Sequence, residues 1–98
     1  MPEPPHLNTK QVSFLRSRAH GLEPQLKLGK HGGTEGLRRE LEQALDRHEL
    51  VKLRLGKFVE VDVEALSGEL GAALVQKLGH VAVLYRPADP PRLKLPAE

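Results

Sequence analysis

The glycines between residues 29 and 36 constrain the fold of this chain more than any other feature. Four of the chain's nine glycines fall within the segment "LGKHGGTEGL", which also carries the adjacent pair Lys30 and His31. Glycine loses more backbone entropy on folding than any other residue, so we expect neither a helix nor a strand to run through it. The part of the segment that contains Gly29, Gly32 and Gly33 is therefore predicted to be a loop between a strand and a helix.

Before this loop, the sequence predicts one helix and one short strand. Asn8 and Thr9 are good N-cap residues, and Gly21 is a C-cap candidate. Pro24 blocks further helix, and residues 25–28 alternate polar and apolar side chains, which is typical of a strand. The helix carries one apolar stripe at helical spacing, formed by Val12, Leu15, Ala19 and Leu22.

After the loop, the sequence predicts a longer helix and a half-buried strand. Thr34 is a candidate cap for this helix. The apolar face of the helix comprises Leu37, Leu41, Ala44 and Leu45. In the following "ELVKLRLG", Lys52 and Arg54 alternate with apolar residues, which predicts that both cations lie on the solvent side of a strand.

The segment from residue 57 to residue 86 is ambiguous on periodicity alone. Apolar residues from Val59 to Leu70 fit a helix ending at Gly71, but "FVEVDV" also alternates like a strand. Beyond Gly71 we favour a strand, followed by a two-residue turn at Gly79 and His80 into the strand "VAVLYR". The predicted order is α-β-α-β-α-β-β, with the strands in one sheet and the helices packed on it.

Length and composition predict a single domain in the cytoplasm. Ninety-eight residues correspond to one domain, and the absence of cysteine excludes disulfides. No apolar run is long enough to span a bilayer, and the N-terminus lacks a secretory signal pattern. Seven of the eight prolines lie in residues 1–7 and 87–98, so both flanks are expected to be extended or disordered, although residues 92–95 alternate like a small edge strand.

The loop carries the one motif that points to a ligand. Gly29, Lys30, His31 and Gly32 form a GxxG pattern before a predicted helix N-terminus. Glycines let the backbone approach a phosphate closely, and exposed amides with the helix dipole favour an anion there. The pattern is neither a P-loop nor a dinucleotide fingerprint. The residues alone leave two interpretations open, a plain turn and a phosphate cradle.

Basic residues are predicted to continue from this loop. Lys27 precedes it, and Arg38 and Arg39 lie in the first turns of the next helix, where cations oppose the helix dipole. Lys52 and Arg54 share one strand face. The net charge is only +2, so a nucleic-acid role depends on this placement; otherwise the cations simply solvate exposed faces.

No catalytic or metal-binding pattern stands out in the sequence. The five histidines lack metal-ligand spacing and have no cysteine to join them. The serines lack the sharp Gly-x-Ser-x-Gly turn of a nucleophile, and paired carboxylates occur only on predicted helix surfaces. We therefore expect no enzymatic activity, no metal and no cofactor.

Three long segments together resemble the YhbY-type CRM domain, the chloroplast RNA splicing and ribosome maturation module. They are "LNTKQVSFLRSRAHGLEPQLKLGKHGGTEGL", "EQALDRHELVKLRL" and "VQKLGHVAVLYRP". The most specific part is the ordered set "AHGLEP", "GKHG", "HELVKL" and "VQKLG…LYRP". The resemblance extends over residues 7–96 and leaves residues 1–6 as a flexible flank.

This resemblance implies an RNA-binding α/β domain with a four-stranded mixed sheet, similar to the C-terminal domain of translation initiation factor three. The family's GxxG loop, which is functionally similar to that of KH domains, falls on residues 29–32. By position, "HELVKL" supplies Lys52 on a strand and "LYRP" places Arg86 at a strand end. The resemblance also favours helix up to Leu70 and strand from about Ala72. Gly33 is an additional glycine after the motif, and we expect it to loosen the loop.

Two functions follow from these patterns. Bacterial single-domain members of the family are associated with precursors of the large ribosomal subunit. We therefore expect a non-catalytic, monomeric protein that binds rRNA of that precursor through the loop and the adjacent cations. Because the chain has only three aromatic residues, recognition is expected to rely on RNA backbone and shape. The alternative is an adaptor that docks on a ribosomal protein or GTPase, with the glycine loop serving only as a turn.

Overall fold

The computed structural model describes residues 3–28, 34–56 and 61–96, and its elements follow the predicted order. The helices are α1 (Thr9–His20), α2 (Thr34–Arg47) and α3 (Val63–Glu69). The strands are β1 (Leu26–Leu28), β2 (Leu50–Leu55), β3 (Ala73–Leu78) and β4 (Val81–Tyr85). The prediction of a single α/β domain with a four-stranded sheet is confirmed.

The four strands form one mixed sheet in the order β1-β2-β4-β3. β1 runs parallel to β2, and α2 provides the crossover that a parallel pair requires. The other two pairs are antiparallel. β3 and β4 form the predicted hairpin, whose turn begins at Gly79 with a φ of 58°, a left-handed conformation that glycine adopts without strain.

Short polar side chains fix where α1 and α3 begin. The Asn8 side chain accepts a hydrogen bond from the Gln11 amide at 2.8 Å, and the Gln11 side chain accepts one from the Asn8 amide at 3.1 Å. This reciprocal capping box confirms the predicted start of α1. Asp62 caps α3 by accepting from the Ala65 amide at 3.0 Å. The helix therefore begins at Val63, while the earlier residues 57–60 of the ambiguous segment lie outside the described residues.

Each face of the sheet supports its own hydrophobic core. On β2, side chains alternate between the two cores, with Leu50 on the α1 side and Val51 on the α2 side. The larger core, under α2 and α3, includes Leu37, Leu41, Ala44, Leu45, Val51, Leu53, Leu55, Leu66, Leu70, Ala82 and Leu84. The smaller core, under α1, comprises Leu15, Ala19, Leu50, Val75, Val83 and Tyr85.

Leu22 departs from the predicted apolar stripe of α1. Its side chain is 38% exposed, whereas Leu15 and Ala19 are buried. The helix ends at His20, so Leu22 no longer follows the helical face that the spacing assumed. The stripe is therefore shorter than the sequence predicts.

The C-terminal flank, expected to be extended or disordered, is irregular over residues 86–96 and is held against the domain. The Glu49 carboxylate, 6% exposed, accepts hydrogen bonds from the amides of Ala88, Arg92 and Leu93 at 3.0, 2.8 and 2.7 Å. Residues 92–95 form no strand, because three backbone amides of this flank bond to a side chain rather than to a sheet edge. The apolar residues of that segment, Leu93 and Leu95, pack on the smaller core.

Candidate functional site

The predicted phosphate cradle lies between two elements whose positions are known. Gly29, Lys30, His31 and Gly32 are outside the described residues. β1 ends at Leu28 and α2 begins at Thr34, so this segment joins the end of a parallel strand to the start of a 14-residue helix. In several phosphate-binding folds, a glycine-rich connection of this kind leads into a helix whose N-terminal amides bind the anion.

Lys27 and Arg54 are brought together beside this segment. They are register partners on the parallel strands β1 and β2, and both side chains are exposed on the sheet face that carries α1. Adjacent strands lie about 4.8 Å apart, and like charges in opposing positions are destabilising. Over the described ranges, ion pairs involve Arg38, Arg86 and Arg92 but neither Lys27 nor Arg54. Among the residues that the structure describes, the pair is thus a concentration of positive charge with no carboxylate paired to it.

Lys52 is not on the solvent side of β2, which corrects its predicted location. Its ammonium nitrogen lies 3.0 Å from the carbonyl oxygens of both Ala19 and Leu22, and the side chain is half-buried. The face that the alternation assigned to solvent is covered at this point by the end of α1. Lys52 therefore satisfies carbonyls at and just beyond a helix C-terminus, where a cation also favours the helix dipole.

Arg38 and Arg39 lie at the start of α2, close to where the glycine segment ends. Both side chains are exposed. The Arg38 guanidinium forms an ion pair of 3.1 Å with Glu69, and both side chains of this pair are about half exposed. Exposed pairs of this kind contribute about 0–1 kcal/mol, so Glu69 holds Arg38 only weakly. In the described part of the chain, no ion pair includes Arg39.

Arg86 connects β4 to two helices. Its guanidinium contacts Glu42 at 3.1 Å and Asp46 at 2.8 Å, both on α2, and donates to the Leu70 carbonyl at 2.9 Å. The side chain is 18% exposed. Glu42 and Asp46 lie in the C-terminal half of α2, away from the glycine segment. The whole helix has 14 residues and is about 20 Å long. Arg86 is therefore largely engaged by groups of the protein itself.

The structure also shows a cavity that the sequence did not predict. It lies between α1 and the β3–β4 hairpin and has a volume of about 250 Å³. Its lining consists of Arg16, Ala19, His20, Lys52, Gln76, Leu78, Val81 and Val83. The one sequence signal was Leu78, an apolar residue at the solvent-facing end of a strand, which is 70% exposed.

The described residues support neither a metal site nor a membrane-spanning helix. Within residues 3–28, 34–56 and 61–96, no group of three or more histidine, aspartate or glutamate side chains could hold a metal ion. None of α1, α2 and α3 is long and apolar enough to cross a membrane.

These observations define a small α/β domain with helices on both sheet faces and cations gathered beside a glycine-rich connection. Residues 7–86 match the model of the CRS1/YhbY (CRM) domain, and the chain belongs to this family.

Similar proteins share this domain over nearly their whole length. The chain is 42% identical over 94 residues to an RNA-binding protein of Haemophilus influenzae, a match covering 92% of this chain and 95% of that protein. It is 39% identical over 93 residues to a probable RNA-binding protein of Pseudomonas aeruginosa, covering 91% and 89%. A candidate RNA-binding protein of Staphylococcus aureus, whose solution structure is known, superimposes with a TM-score of 0.69 at 30% identity, covering 93% of this chain and all of that one.

Proposed function

We propose that this chain binds RNA without catalysing a reaction, and that its target is rRNA in the cytoplasmic precursor of the large ribosomal subunit. Family membership and the names of its relatives support RNA binding. The ribosomal target is supported by the resemblance to single-domain bacterial family members. The protein acts as a monomer in this proposal.

The observation that carries the proposal is the register pairing of Lys27 with Arg54. Two neighbouring cations raise the free energy of the unliganded sheet, and a bound phosphate removes this repulsion. Lys27, the member of the pair on β1, is one residue before the end of that strand, and the GxxG segment begins directly after the strand. A nucleotide backbone bound by the loop amides, Lys30 and His31 continues onto this pair.

The remaining predicted cations have different parts in the proposed interface. Arg38 and Arg39 extend the positive surface along the start of α2. Lys52 contributes charge from beneath α1, because its ammonium is already bonded to two carbonyls. Arg86 is assigned to the ion pairs that join β4 to α2 rather than to RNA contact.

The salt dependence of binding to rRNA fragments tests this proposal. We expect the wild-type logarithm of affinity to fall with the logarithm of salt concentration, with a slope of about −0.7 for each phosphate contacted on a single strand. Lys27→Ala and Arg54→Ala should each make the slope shallower by about 0.7. Arg47→Ala is the matched control, because it removes one exposed cation at the far end of α2.

Two results would contradict the proposal. One is binding that does not depend on salt, and the other is equal slopes for the Lys27, Arg54 and Arg47 variants. Association with ribosomal particles that survives nuclease treatment, in a protein that binds no free rRNA, would instead support the adaptor function.

A further inference from the structure

The sheet face under α1 is left uncovered at one end. Cα register aligns four residues across the four strands, which we call the outer row: Lys27, Arg54, Val81 and Leu78. Val83, in the neighbouring row, is buried under α1, whereas Val81 is half-buried and Leu78 is 70% exposed. The outer row therefore joins two cations to two accessible apolar side chains on one surface.

The cavity beside the outer row combines an apolar floor with a basic rim. Val81, Val83 and Ala19 supply apolar surface, and Leu78 stands at the edge. Its volume of about 250 Å³ is smaller than the roughly 300–1,000 Å³ of pockets that hold drug-sized ligands. One small planar group can therefore enter, but a larger ligand cannot.

The cations of the rim are fixed by carbonyl oxygens rather than neutralised by carboxylates. The Arg16 Nε atom donates to the Val75 carbonyl at 3.0 Å, and Lys52 donates to two carbonyls of the α1 end. No acidic residue lines the cavity among the residues described. A complementary ligand therefore has an apolar planar part and a negative charge next to it, which is the chemistry of a nucleotide.

We propose that this cavity receives one unstacked nucleobase of the bound RNA, while the adjoining phosphates lie on Lys27 and Arg54. This inference rests on the proposed function and adds a base contact to what is otherwise backbone recognition. The Gln76 amide and the His20 ring both offer hydrogen-bonding groups to the base edge. Among the described residues no Phe, Tyr or Trp lines the cavity, so the base packs mainly on aliphatic side chains.

The test compares two probes that carry the same phosphates. One is a short oligouridine, and the other is an oligomer of equal length in which stable abasic nucleotides replace every base. Wild type should bind oligouridine about tenfold more tightly than the abasic oligomer, in the range found for single-base contacts. Leu78→Ala should reduce this preference to about twofold and leave the salt slope unchanged, because no phosphate contact is lost.

Leu22→Ala is the matched control, since Leu22 is the other leucine found exposed among the described residues and does not line this cavity. It should keep the wild-type preference. Equal binding of both oligomers by wild type, or an unchanged preference in Leu78→Ala, would overturn the base site. Both results leave RNA binding intact, whereas a wild type that binds neither oligomer refutes the proposed function together with the base site.

Discussion

The Glu49 carboxylate and the Tyr85 side chain show how single residues join the C-terminal flank to the smaller core. Glu49 is buried and accepts hydrogen bonds from three backbone amides of the flank. Tyr85 lies in the core on which Leu93 and Leu95 pack. Burial raises the pKa of the Tyr85 hydroxyl above its ordinary 10.0, and the negative charge of Glu49 raises it further.

This shift in the Tyr85 pKa predicts a loss of stability at alkaline pH. Above about pH 10 the unfolded chain releases the tyrosine proton while the folded chain retains it, so the free energy of unfolding falls as pH rises. The contribution of Tyr85 to the free energy of unfolding is therefore smaller at about pH 11 than at about pH 9. Urea unfolding of wild type and Tyr85→Phe at both pH values measures it.

The phenylalanine variant separates this effect from lysine titration, which both proteins share. We expect Tyr85→Phe to lose less stability than wild type over the same pH interval. Tyr85 is the only tyrosine, so its ionisation can also be followed by ultraviolet absorbance. Two results would refute the raised Tyr85 pKa. One is an equal loss of stability in the two proteins, and the other is an ionisation midpoint of Tyr85 at about pH 10 in the folded protein.

At the scale of elements, α1 is fixed at both ends by side chains. Asn8 and Gln11 form the capping box at its start, and Lys52 donates to carbonyls at and after its end. The helix packs on the sheet mainly through Leu15 and Ala19. With so few buried residues, the polar contacts at its ends contribute a large share of its stability.

Removing the Lys52 ammonium should loosen α1 more than the rest of the fold. Lys52→Met keeps most of the aliphatic side chain but leaves the Ala19 and Leu22 carbonyls without this donor. We expect the free energy of unfolding to fall by about 1–2 kcal/mol. Amide hydrogen exchange should accelerate in α1 relative to α2, because the lost contacts belong to α1.

Lys27→Met provides the control for this prediction. It removes a lysine ammonium from the neighbouring strand, where the structure gives it a like-charged neighbour, Arg54. Its stability should equal or exceed that of wild type. A Lys52→Met protein as stable as Lys27→Met would show that the bonds to α1 contribute nothing.

Local periodicity was sufficient to predict most of the elements. In α2 the predicted apolar face is the buried one, and in β2 the alternation matches burial of Val51, Leu53 and Leu55. The start of α3 was missed because alternating valines obscured the capping signal of Asp62, a residue type that favours N-caps. Periodicity reports which side chains share a face, and caps report where a helix begins.

Periodicity could not predict which cations are available to a ligand. Lys52 bonds to carbonyls 30 and 33 residues away, and Arg86 pairs with carboxylates 40 and 44 residues away. Such partners depend on which helix covers which sheet face, information that no local pattern contains. The GxxG segment itself remains a prediction, since it lies outside the described residues.

For the whole molecule, the distribution of charge matters more than the net charge of +2. Toward the end of α2, the carboxylates of Glu42 and Asp46 pair with Arg86, while Glu49 lies near Arg92. At this end of α2 the positive charges of Arg86 and Arg92 are therefore paired with carboxylates. Within the described ranges, Lys27 and Arg54 beside the GxxG segment have no such compensation, so positive potential is concentrated there.

If Lys27 and Arg54 bind RNA, reversing these two charges should weaken RNA binding more than reversing two charges elsewhere on the surface. Lys27→Glu/Arg54→Glu and Lys10→Glu/Lys94→Glu lower the net charge equally, and all four side chains are exposed. We expect the first double variant to bind an rRNA fragment at least about tenfold more weakly than the second, because it loses specific phosphate contacts as well as bulk attraction. Titrations at two salt concentrations measure the difference, which should shrink at high salt as screening increases. Equal affinities would mean that bulk charge alone governs binding, and the Lys27–Arg54 pair would no longer define the interface.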